Sequence, residues 1–181
     1  HLFKPRHAYR MSGGQNDDTS TGTNAPNGII VRYYFKKKPT NEIKLQFATP
    51  KGDTIITYSS TKNLKGKEMT PSKEFYTDTK KAQPGTISAQ AGMNSFVWNM
   101  RYPNVTEVEG TNVMWAGSGA GAKVVPGTYT VKLLEGKTVI GEADFEIKLD
   151  PRVNTSAADL QEQFDLHQIV QFSHTLFRFA R

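Results

Sequence analysis

The side chains able to do chemistry are of few kinds and are widely spread. Acid–base work on a glycosidic bond asks for two carboxylates about 5 to 10 Å apart across it. The chain has 17 Asp and Glu, but most fall in polar loops or alternate with apolar residues. Asp144 and Glu146 stand two positions apart, which puts both on one face of a strand. A half-buried strand needs polar groups on its outer face, so the pair reads as a wet face and not a catalytic dyad. The four histidines are His1, His7, His167 and His174. On a helix His167 and His174 would share a face about 10 Å apart along the axis. One metal ion favours an i, i+4 pair instead, and structural zinc needs about four ligands. No metal site and no cofactor are expected. There is no cysteine, so thiol chemistry and disulfides are excluded.

Gly117–Ser118–Gly119–Ala120–Gly121–Ala122–Lys123 has the glycine content of a phosphate loop but lacks its Gly-Lys-Ser/Thr ending. Val124–Val125–Pro126 follows in place of a helix, so the stretch reads as a strand connection. Trp98 alternates with Phe96 and Met100, the pattern of a core strand. Trp115 lies between polar and glycine-rich stretches. With Tyr102 it would stack on a sugar ring, close the end of the fold as a lid, or touch a neighbouring domain. Aromatics dominate core and interface area, which favours the lid or the contact. The net charge is +6, but the cations are scattered apart from Lys36–Lys37–Lys38. A nucleic-acid surface gathers cations on one face with aromatics between them. A lysine run at a strand end is the usual guard against edge pairing, so no nucleic-acid partner is expected.

Strands must position these residues. Ile29, Val31, Tyr33 and Phe35 share one parity within Gly28–Lys37, as do Ile43, Leu45 and Phe47 within Glu42–Ala48. Pro50–Lys51–Gly52–Asp53 reads as a hairpin turn into Thr54–Tyr58. Residues 59–85 are a polar excursion, with a short helix or edge strand near Phe75. Gly92–Arg101 is a strand, and Asn104–Lys123 a long loop. Gly127–Leu134, the Glu135–Gly136 turn and Thr138–Leu149 form a hairpin. Its second arm sets Val139, Ala143, Phe145, Ile147 and Leu149 against Glu142, Asp144, Glu146 and Lys148. Asp150–Pro151–Arg152 ends the sheet. Ser156 and Asp159 form a capping-box pattern ahead of a helix carrying Leu160, Phe164, Ile169, Val170, Leu176 and Phe177. Phe164, Phe172, Phe177 and Phe179 require that helix to pack on something, and its apolar run is too short for a membrane span. Residues 1–27 read as an extended docking arm and a flexible loop, 28–150 as an antiparallel β-sandwich of seven or eight strands, and 151–181 as a helical segment. The chain opens on His1 and stops inside an apolar helical pattern. Both ends read as cuts in a longer protein, so targeting signals are missing.

In their order along the chain, several motifs carry a resemblance. They are His1–Leu2–Phe3–Lys4–Pro5–Arg6–His7–Ala8–Tyr9–Arg10, Asn24–Ala25–Pro26–Asn27–Gly28, Gly92–Pro103, Trp115–Ala116–Gly117, Pro126–Leu133 and Asp150–Pro151–Arg152–Val153. Over about residues 1–168 the chain resembles the region after the β-propeller in bacterial BNR-repeat, sortilin-like proteins described as glycosyl hydrolases. Its middle resembles the Ig-like domain of flagellar hook-capping proteins, marked by a Phe-x-Trp strand and a Gly-x-Tyr strand. Asn99 stands where that family usually carries Asp.

The resemblance implies an all-β, Ig-like antiparallel β-sandwich with an N-terminal arm and a C-terminal helix. It implies an accessory, non-catalytic domain of an exported bacterial protein, with that protein's own β-propeller as partner. Leu2, Phe3, Pro5 and Tyr9 of the arm, with Trp115, would make the contact. Two alternatives stay open. One is carbohydrate binding on a surface around Tyr102 and Trp115. The other is a share in a hydrolase site completed by the propeller, in which Arg101 or Trp115 would take part.

Overall fold

A computed structural model describes residues 1–11, 26–61, 86–104 and 120–179, with side chains to residue 170. The elements are β1 (Ala8–Arg10), β2 (Ile29–Phe35), β3 (Ile43–Ala48), β4 (Thr54–Ser59), β5 (Gly92–Trp98), β6 (Gly127–Glu135), β7 (Thr138–Leu149) and α1 (Ala157–Phe179). The fold is mostly β, with one helix among the described residues. Five strands form one sheet in the order β1-β7-β6-β3-β4, and β2 pairs with β5 in a second. The excursion around Phe75 and the residue Trp115 lie outside the described residues.

Strand alternation builds one core from both sheets. Ile29, Val31 and Tyr33 of β2, Ile43, Leu45 and Phe47 of β3, and Val131 and Leu133 of β6 are fully buried. Trp98 of β5 is equally buried and stacks on Phe47 of the other sheet, ring centroids 4.4 Å apart. Tyr58 of β4 meets Phe96 of β5 at 4.5 Å, and Phe145 of β7 lies edge-on to Trp98 at 6.1 Å. Aromatic pairs at these separations add to the burial of their own area. The turn between β3 and β4 closes with Gly52 N–H donating to Thr49 O and Thr49 N–H donating to Asp53 O, each at 2.9 Å.

Two expectations need correction. Pairings within residues 28–150 are antiparallel as expected, but the arm is not outside the sheets, because its β1 pairs parallel with β7, Ala8 opposite Ile147. The arm begins on the other sheet, where Phe3 N–H donates to Arg32 O and Tyr34 N–H to His1 O. It then crosses to the open edge of β7 and arrives running in the direction of that strand. Leu2 is buried beside Tyr33, so the arm closes the chain's own core. Val139 does not join the inward face of β7, being 47% exposed. A register shift between Leu133 and Leu134 moves the partner from Gly141 to Val139, and one extra residue reverses which side faces in.

Past β7, the capping box forms as its spacing predicts. Asp159 N–H donates to Ser156 Oγ at 3.1 Å, and Ser156 N–H to Asp159 Oδ2 at 2.9 Å. Leu160 is buried and Phe164, four residues on, is half-buried on the same face. No helix of the described residues is long and apolar enough to cross a membrane.

Candidate functional site

The site begins where β5 runs out. Met100 holds a left-handed backbone at φ 59°, uncommon without glycine, with its side chain fully buried. The surroundings fix it. Trp98 Nε1–H donates to Arg101 O, and Arg101 N–H donates to Asn99 Oδ1, both at 3.2 Å. Val124 N–H donates to Met100 O and Tyr102 N–H to Ala122 O, both at 2.9 Å. Arg101 and Lys123 therefore become direct antiparallel partners across a two-stranded bridge. Gly121 lets the backbones come this close, since a Cβ there would sit 2.0 Å from Tyr102 O.

The bridge, the arm's end, the segment after β7 and α1 border an open cavity of about 640 Å³. Arg10, Arg101 and Lys123 line it, with Asp150, Phe164 and His167. Each of the three cations reaches a neutral acceptor. Arg10 Nη2–H donates to Gln163 Oε1 at 2.9 Å, Arg101 Nη1–H to Gly121 O at 2.8 Å, and Lys123 Nζ–H to Met11 O at 2.7 Å. None forms an ion pair among the described residues. Arg10 Nε is buried with no hydrogen-bond partner among the described residues.

Protonation follows from this crowding. Burial, then Arg101, push the Arg10 guanidinium below its ordinary range. Burial, then Arg101 and Arg10, lower the Lys123 ammonium. The lining acid Asp150 is occupied elsewhere: its carboxylate accepts Arg152 Nη2–H at 2.8 Å, Nε–H at 2.9 Å and backbone N–H at 3.0 Å. Those bonds hold its carboxyl down to about 2. Burial, then Asp53, raise the Tyr102 hydroxyl.

Of the residues singled out in the sequence, Arg101 and Tyr102 meet here. Arg101 lines the cavity and Tyr102 sits beside it, its ring 5.3 Å from that of Phe164. Phe3 and Tyr9 are exposed and line a second concavity of about 410 Å³. Met11 and Asn27 border both concavities. Leu2 lies apart, in the core. Asp144 accepts a hydrogen bond from Thr130 Oγ1 at 2.7 Å, and Glu146 pairs with Lys148 at 3.5 Å, both on the outer face of the hairpin. Arg10 and Lys123 escape sequence reading as site residues. They lie 113 positions apart, and only the parallel pairing of β1 and the Arg101–Lys123 bridge bring them together. Comparison with known proteins returned no matching family model, no matching curated protein and no matching solved structure.

Proposed function

We propose that the chain is an Ig-like β-sandwich acting as a non-catalytic accessory domain. Its partner is the β-propeller of the same exported bacterial protein, in the manner of the BNR-repeat proteins it resembles. Two features support the fold reading. Sheets β7-β6-β3 and β2-β5 correspond in chain order to the G-F-C and B-E strands of an Ig-like sandwich. Tyr129, near the start of β6, donates from its hydroxyl to Val125 O at 2.7 Å, the geometry of the tyrosine corner at that place in such folds.

The observation that carries the functional reading is the outer face of α1. Leu160 and Phe164 turn inward, while Leu166, Ile169 and Val170 share another side and are 63%, 63% and 54% exposed. A helix needs one apolar face to dock, and a second one fits a contact with a further body. The test mixes the chain with the separately produced propeller and follows association by size-exclusion chromatography and calorimetry. A saturable 1:1 complex is expected. No association at roughly 100 μM of each, well above the Kd of a specific interface, overturns the reading.

A further inference from the structure

The geometry points to a second role, independent of the docking helix: the cavity bounded by Arg10, Arg101 and Lys123 binds a small oxyanion, the phosphate or carboxylate group of a low-molecular-weight ligand. Backbone geometry carries the first part of the argument. Arg101 and Lys123 are direct cross-strand partners, and like charges placed directly opposite destabilise the pairing. Arg10 lines the same cavity from the arm. Nothing of opposite charge answers the three among the described residues, because the lining Asp150 is held by three donors of Arg152. His167 is the remaining titratable group on the wall, and Tyr102 and Tyr129 lie behind it. None of these supplies negative charge near neutral pH.

The second part is donor supply. An arginine offers five N–H groups and a lysine three. Among the described residues, Arg10, Arg101 and Lys123 reach one neutral acceptor each, and Arg10 Nε–H is buried with none. A planar guanidinium fork matches a carboxylate or phosphate with two parallel bonds, and an ammonium adds a point charge. The volume of about 640 Å³ is that of a small-molecule pocket, larger than a bare ion requires. Leu149, Val153 and Phe164 on the wall suit the apolar body of an organic anion.

The test titrates the whole chain with sodium phosphate, sodium succinate and sodium chloride at matched ionic strength, by calorimetry and thermal unfolding. Saturable heat and a rising Tm are expected with phosphate, succinate or both, and not with chloride. Phosphate alone assigns a phosphate ligand, and succinate alone a carboxylate. Lys123→Gln should weaken the bound oxyanion about tenfold, the loss of one charged hydrogen bond. At low salt without the anion it should unfold no earlier than the parent, since it removes a like charge. Arg10→Gln repeats the measurement should Lys123→Gln not fold. Lys37→Gln, in the exposed lysine run, should leave the response unchanged. No saturable binding of either oxyanion, or equal weakening by Lys37→Gln, overturns the site.

Discussion

Two residues show how single groups set stability, and each gives a measurable outcome. Tyr129 is buried, and burial raises its hydroxyl to about 12, so the group remains a donor at any ordinary pH. Tyr129→Phe keeps the ring against Trp98 and Phe145 and removes only the bond to Val125 O. Leaving that acceptor unmade should cost about 1–2 kcal/mol, read as a lower urea midpoint at unchanged slope; an unchanged midpoint would refute the corner's role. Asp150 carries the pH dependence. Its carboxyl sits at about 2 in the fold, against about 3.9 for an unfolded Asp. Its contribution is therefore complete above about pH 5 and is lost as pH falls toward 2. Glu42 adds to the same window, held at about 2 by Ser59, Lys44 and Thr61. Unfolding midpoints from pH 7 to pH 2 should fall less steeply for Asp150→Asn than for the parent, while a parallel profile would exclude Asp150 as a source of the acid slope.

At the scale of elements, period-two patterning suffices where a strand offers three or more apolar positions of one parity and no bulge interrupts it. It reveals the inward faces of β2, β3, β6 and residues 143–149 of β7, whereas the six residues of β4 bury Ile55 and Tyr58, which differ in parity. It failed where strand pairing outweighs pattern. β1 has three residues with no buried side chain, so nothing in its sequence distinguishes a parallel edge strand from an arm. The bulge at Leu133/Leu134 likewise leaves no local mark, so Val139, inward by parity, faces out. The candidate site was half legible for the same reason. Arg101 and Tyr102 follow a strand that the pattern reveals, whereas Arg10 depends on a pairing that it does not. The arm's attachment can be tested at Gly141, where a Cβ would sit 2.8 Å from Leu2 Cβ. That atom is fixed to the backbone and cannot rotate away. Gly141→Ala should therefore lift residues 1–3 from β2. Amide exchange at Phe3 and Tyr34, whose N–H groups bind across that seam, should quicken about tenfold as the seam opens locally. Exchange at Lys44 and Gln46, between β4 and β6, should hold. Unaltered exchange at Phe3 and Tyr34 would show that the edge absorbs the methyl group.

For the whole molecule, the question is which surface is dispensable to the fold and needed for association. The two sheets complete their core with residues from β2 to β7 and Leu2 of the arm. The helix adds Leu160, its half-buried neighbour Phe164, and a bond from Arg10 to Gln163. Side chains on its outer side therefore contribute little to folding, since exposed substitutions usually change stability by about 0.5 kcal/mol or less. Leu166 and Val170 stand four residues apart on that side, 63% and 54% exposed. Leu166→Asp with Val170→Asp should leave the Tm of the chain within about 2–4 °C of the parent's, the shift such an energy allows in a chain of this size. If the proposed partner is the propeller, the same pair should abolish that association, because burying two unpaired carboxylates costs more than an ordinary interface can offset. An alternative use of the face is self-association, and the parent chain alone distinguishes it: a dimer dispersed by the double variant would assign the helix to a second copy. Full association with the propeller by the double variant would remove α1 from that contact, leaving Phe3 and Tyr9, exposed beside the second concavity, as the surface to alter next.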